Sequence, residues 1–228
     1  MAAGLFGKAP SKRDFIAFRM PRPFQNVWEP WIQESMAASR HRLGAQWLPA
    51  FNRAPIWRFW LGADFCGVPV LGAFMPCVDG VGRPFPLTIF TAGATAPLSS
   101  PDVDAQEAWC EAAEAILLRA LDHDVAFDDL TREVDALAPP RAGAPRPAED
   151  VRDLSEDLML VTPGDQGITA AFASVGRVRE LRWRAATSYW WTIGGEDFPA
   201  VGLATPGMPA AERFAEMLTG RFQANAPR

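Results

Sequence analysis

From Phe24 onward the apolar residues fall at Phe24, Val27, Trp28, Trp31, Ile32 and Met36, the stripe of an amphipathic helix. Pro30 interrupts it: an interior proline loses one ladder bond and crowds the preceding turn, so the helix is expected to start or kink there. Gly44 is its expected end. A short second helix over 45–51 should follow, and then Pro55, which favours an extended residue before it.

Between 56 and 91 the texture changes to short apolar runs punctuated by Gly and Pro, predicting strands over 56–61, 68–75 and 85–91. Connections this short join only antiparallel neighbours, which makes 79–84 the tip of a hairpin. Asp104 with Glu107 resembles a capping box, and Ala108, Trp109, Ala112, Ile116, Leu117, Ala120 and Leu121 continue at helical spacing. Phe127, Leu130, Val134 and Leu137 predict another short helix. Residues 139–157, rich in Pro, Arg and acids, read as an exposed loop inserted in one domain. Strands are expected again at 158–161, 189–193 and 200–203. A last helix should open at Pro209 and align Phe214, Met217, Leu218 and Phe222. The pattern predicts an α/β fold, a single-domain sandwich over 1–228 with a largely antiparallel central sheet flanked by helices.

At 228 residues, 49% of them hydrophobic, the chain can bury one sizeable core. Its net charge of −5 argues against broad nucleic-acid or anionic-membrane binding, which needs basic surface. The absence of a run of about 18 uncharged apolar residues argues against membrane insertion, and the amino-terminal residues lack a signal pattern, so the protein is expected to stay in the cytoplasm. Cys66, Cys77 and Cys110 have no C-x-x-C spacing, so they predict neither a disulfide framework nor a zinc site and suit a reducing compartment.

Most candidate chemistry dissolves on inspection. Gly4-Leu5-Phe6-Gly7-Lys8 lacks the spacing, the following Ser or Thr and the preceding strand of a phosphate loop, and reads as a surface turn. His41 and His123 stand between charged neighbours on predicted helices, as exposed positions do. Asp122, Asp124, Asp128 and Asp129 lack the glycine and terminal glutamate of a calcium loop. The cysteines carry no nucleophile signature and read as small buried hydrophobes. No catalytic, metal or cofactor residue is assigned, and a non-enzymatic chain is expected.

The segment 76–87 is different. It packs Asp79, Gly80, Gly82 and Arg83 between strand-like runs: two glycines that tolerate positive φ, a carboxylate that accepts from backbone N–H groups, and a five-donor guanidinium fork. Arg58, inside the predicted strand Ile56-Trp57-Arg58-Phe59-Trp60-Leu61, must point to solvent or be paired, with Asp14 and Asp79 as candidate partners.

Taken in order, Gly4-x-x-Gly7-Lys8-x-Pro10-x-x-x-Asp14-Phe15, Trp28-Glu29-x-Trp31-Ile32, Pro55-x-Trp57-Arg58-Phe59, the loop 76–87 and Ser188-Tyr189-Trp190-Trp191-Thr192 resemble the TagF family of type VI secretion-associated proteins. The match is poorest over 139–157 and toward the carboxyl end. Cys77 stands where the family pattern usually has Ser. The resemblance implies a non-enzymatic cytoplasmic accessory protein that represses type VI secretion after translation, by binding an assembly component such as the forkhead-associated scaffold protein. With the 228 residues taken up by the family module, an appended phosphatase domain is not expected. Under this reading Asp14, Arg58, Asp79 and Arg83 form one polar face beside Trp190 or Trp191, serving either as a partner surface or as a structural network. The alternatives are a structural subunit of the secretion apparatus, or a hydrolase or small-molecule binder using the loop 76–87.

Overall fold

The computed structural model describes residues 2–93, 98–140, 151–154, 157–161, 172 and 185–222. Its strands are β1 Ala3–Gly7, β2 Ile16–Phe18, β3 Trp57–Leu61, β4 Val70–Met75, β5 Leu87–Ala92, β6 Val151–Leu154, β7 Asp157–Val161, β8 Thr187–Thr192 and β9 Val201–Pro206. They form one sheet in the order β2-β1-β5-β4-β3-β8-β9-β7-β6, with every neighbouring pair antiparallel. The helices are α1 Arg22–Leu43, α2 Trp47–Arg53, α3 Ala63–Cys66, α4 Glu107–Arg119, α5 Phe127–Ala136 and α6 Arg213–Thr219.

Helices cover both faces of the sheet, so strands β3, β4 and β8 are buried at every position, polar residues such as Arg58 and Ser188 included, instead of alternating between buried and exposed. The pleat sends alternate side chains to opposite layers. Trp57, Phe59, Leu61, Phe74, Phe90 and Trp190 pack beneath α1 and α6. Trp60, Leu71, Ala73, Ile89, Tyr189 and Trp191 pack beneath α4 and α5. Trp28 of α1 lies 4.3 Å from the Phe59 ring and stacks at 7° on Trp190. Each such ring removed from water contributes roughly 1.5–3 kcal/mol.

Two indole N–H donors tie the carboxyl-terminal segment to this layer: Trp31 Nε1 to the Pro209 carbonyl at 2.8 Å and Trp57 Nε1 to the Met217 carbonyl at 3.0 Å. β8 joins the sheet beside β3, so the late strands complete the same layer that the early ones begin.

Several expectations need correction. Helix α1 begins at Arg22 after Pro21 and runs through Pro30, whose lost ladder bond is tolerated because Trp28, Trp31 and Ile32 anchor both flanks in the core. Residues 3–7 are no surface turn: they form β1, buried between β2 and β5. The helical start near Pro209 falls four residues later, at Arg213. His123 lies in the turn between α4 and α5 instead of on a helix. Part of the expected loop 139–157 is the strand β6; residues 141–150 and 155–156 of that loop lie outside the described residues. The capping box does not form either. Asp104 accepts from the Gln106 backbone N–H at 3.0 Å and its amide at 2.7 Å, and Glu107 turns toward the sheet.

Candidate functional site

The β1–β2 loop and the β4–β5 hairpin emerge from the same end of the sheet and lock together around Asp79. An isolated bridge pairs Val78 with Pro84, the Phe85 N–H donates to the Cys77 carbonyl at 2.9 Å, and the Gly82 N–H to the Asp79 carbonyl at 2.9 Å. This turn aims the Asp79 side chain inward, where it is wholly buried. Its Oδ1 accepts from the backbone N–H groups of Val81 at 3.1 Å and Arg83 at 2.9 Å; Oδ2 accepts from Lys8 Nζ at 3.0 Å and Arg83 Nε at 2.6 Å. Burial works against its ionisation, but these four donors outweigh burial and hold the carboxyl well below the usual range.

The neighbouring loop is stitched to the hairpin by backbone. The Gly80 N–H donates to the Lys12 carbonyl at 3.3 Å, and Arg83 Nη2 to the Arg13 carbonyl at 2.6 Å. Gly7, at φ 125°, ends β1 where an added Cβ would stand 2.0 Å from the Pro86 carbonyl oxygen, so only glycine lets the two strand ends approach. Phe15 packs edge-on between Phe6 and Phe85, with ring centroids at 4.8 and 4.9 Å. Arg83 is nevertheless 59% exposed, Val81 55% and Phe15 41%. The knuckle therefore presents a guanidinium and two apolar side chains to solvent on a fixed base.

The six residues singled out from the sequence do not form one face. Asp79 and Arg83 meet in the knuckle, with Asp14 exposed in the adjoining loop. Arg58 pairs with neither Asp14 nor Asp79. It is fully buried on the α4 side of β3, where Nε and Nη2 bond Glu114 at 2.5 and 2.9 Å and Nη1 bonds Glu107 at 2.7 Å. Burial disfavours its charge, yet the Glu114 bond and the surrounding negative charge outweigh that and hold the guanidinium above its usual range. Trp190 and Trp191 are also fully buried, pointing into opposite layers. The signal for the Arg58 partners was present in the sequence: Glu107 and Glu114 stand seven residues apart, on the stripe of α4 that also carries Cys110 and Leu117.

The thiols are poorly disposed to attack. Burial pushes Cys77 up to about 11, raises Cys66, and carries Cys110 higher still. Two grooves open elsewhere. One of about 750 Å³ is lined by residues including Arg42, Arg53, Asp197 and Phe198; the other, of about 390 Å³, lies beside Glu107, Trp109 and Pro139. Neither includes a residue of 76–87. Among the described residues no cluster of His, Cys, Asp and Glu is arranged to hold a metal ion, and no helix is long and apolar enough to cross a membrane.

Comparison with known proteins places these features. Among curated proteins, none matches the chain. A solved structure, PA0076 from Pseudomonas aeruginosa PAO1, superposes with a TM-score of 0.72 at 28% identity, covering 100% of this chain and 98% of its own. The family profile for the TagF N-terminal domain, type VI secretion system-associated, matches residues 4–137, a span that holds β1–β5, α1–α5, the knuckle and the Arg58 cluster. The chain belongs to the TagF family of type VI secretion-associated proteins.

Proposed function

We propose that this protein is a non-enzymatic accessory factor that restrains type VI secretion after translation by binding a protein needed for assembly, with the forkhead-associated scaffold as the first candidate. The observation that carries the reading is the state of Arg83. Its Nε is fixed on a buried carboxylate and its Nη2 on a carbonyl of the next loop, while the side chain stays 59% exposed beside Val81. A contact surface held this way loses little side-chain entropy when a partner docks, and Arg is among the residue types that most often dominate interfaces. The raised thiols favour binding over thiol catalysis.

The test is secretion of the type VI tube protein from a bacterium with an active system, with this chain deleted, native or overproduced. Tube protein in the medium should fall as this chain rises, at constant intracellular amount. Secretion lost on deletion and indifferent to excess would instead assign a structural subunit, and no response in either direction would sink the regulatory reading.

A further inference from the structure

The charge around the knuckle selects its partner more narrowly than the fold does. Residues 8–14 and 76–87 hold Lys8, Lys12, Arg13 and Arg83 against Asp14 and Asp79, a local excess of positive charge in a chain of net −5. The Asp79 charge is consumed internally by Lys8 and Arg83. The Lys12 ammonium is spoken for by the Phe127 ring, 3.7 Å away. What remains for an incoming group is the outer edge of the Arg83 fork and the exposed Arg13 side chain, which makes no ion pair among the described residues; the Arg83 bond to the Arg13 carbonyl ties their two loops together, and the Arg13 Cγ stands 3.8 Å from where a Cβ on Gly80 would lie, so both side chains leave the same knuckle. Val81, two residues before Arg83, and Phe15, two residues after Arg13, supply exposed apolar surface on the same two loops.

The flanks are acidic. Asp122, Asp124, Asp128 and Asp129 lie in and after the α4–α5 turn, with Asp128 and Asp129 in the first turn of the helix whose Phe127 meets Lys12. Glu196 and Asp197 lie in the β8–β9 turn. Asp129 is paired with Arg132 and Asp197 with Arg53, so Asp122, Asp124, Asp128 and Glu196 carry the acidic character of the two flanks. The β8–β9 turn also leaves the same end of the sheet, since β8 runs antiparallel to β3, and β3 antiparallel to β4. At about 4.8 Å per strand it stands about 15 Å from the base of the hairpin. A narrow cationic spot between two acidic shoulders repels an extended polyanion, whether nucleic acid or an anionic membrane, and accepts a discrete pair of carboxylates.

We infer that the knuckle docks a short protein segment carrying one or two carboxylates next to an aliphatic side chain, the carboxylates bridging Arg13 and Arg83 and the aliphatic group covering Val81 and Phe15. This rests on the partner-binding reading above and specifies the partner's chemistry.

The probe is a nine-residue peptide with a Glu-Leu-Glu centre and Gly-Ser-Gly ends, titrated into the isotopically labelled full chain and followed by backbone and arginine side-chain NMR signals. Shifts should concentrate at residues 13–15 and 80–83. Arg13→Ala, which removes a side chain without an ion pair among the described residues, should weaken binding at least about fivefold, and Arg83→Gln should do the same. A twin peptide with Gln for both Glu should bind at least about tenfold more weakly. Equal binding of the Gln twin, shifts centred elsewhere, or no shifts at millimolar peptide would each overturn the inference. So would tighter binding of phosphatidylserine vesicles or inorganic phosphate at the same residues. Secretion is read separately: repression that survives in a strain carrying Arg13→Ala with Arg83→Gln sinks the docking site alone, whereas a protein that binds the peptide but never lowers secretion sinks the regulatory role alone.

Discussion

Arg58 of β3 and Glu114 of α4 meet in the core through two parallel hydrogen bonds, Nε to Oε1 at 2.5 Å and Nη2 to Oε2 at 2.9 Å. This bidentate geometry fixes the helix against the sheet at one register, because a shift by one residue would strand a buried charge. Removing one partner is therefore expected to cost more than the pair contributes. Arg58→Ala should lower stability by about 3 kcal/mol, read from urea unfolding, by leaving the partly buried Glu114 without its bidentate partner and a gap where the arginine stem packed. Arg58→Met with Glu114→Leu should recover much of that loss. A single Arg58→Ala variant as stable as the parent would contradict the account.

Asp79 should give the stability curve an acid limb. Its carboxyl titrates lower in the folded protein than in the unfolded chain, so its contribution is complete above the unfolded value of about 3.9 and is lost as pH falls from there toward the depressed folded value. Urea midpoints measured from pH 7 to pH 2 should fall steeply below about pH 4. In Asp79→Asn the curve should start lower at pH 7 and fall less, since the amide cannot titrate. Parallel curves for the two proteins would refute the assignment.

Gly7 and Gly82 both adopt positive φ, but only Gly7 is crowded. Gly7→Ala drives a methyl into the Pro86 carbonyl and should cost about 2–4 kcal/mol. Gly82→Ala meets nothing within 4 Å and should cost about 1 kcal/mol, the backbone term alone. Thermal unfolding of the two variants side by side separates steric contact from conformational strain.

Alkylation distinguishes the thiols from working nucleophiles. With Cys77 and Cys110 buried and their acidities weakened, iodoacetamide at pH 8 should modify them far more slowly in the native protein than in urea, with Cys66, only partly buried, reacting first. Fast native labelling at Cys77 would reopen a thiol-based activity at the knuckle.

Periodicity made α1, α4 and α5 legible because each lays one apolar stripe on the sheet, and the stripe repeats at the helical period. Strands β3, β4 and β5 were legible as dense apolar runs between Gly and Pro. β1 was not: Ala3 to Gly7 contains two glycines, and it is buried only because β5 and β2 flank it. β6 escaped for a related reason, since Val-Arg-Asp-Leu carries no strand signature and owes its extended form to pairing with β7.

Sequence alone determined the layers, the antiparallel β4–β5 hairpin and the chemistry of its tip, since propensity, spacing and turn residues act over a few neighbouring positions. It also carried the family, through motifs kept in order along the chain. The tertiary structure decided which charges meet. Asp79 finds Lys8 across 71 residues, Arg58 finds Glu114 across 56, and Trp190 and Trp191, adjacent in the chain, enter opposite layers. Ion pairing in the interior depends on distances of a few ångströms set by strand order and helix placement, and the pleat turns each next side chain to the other face.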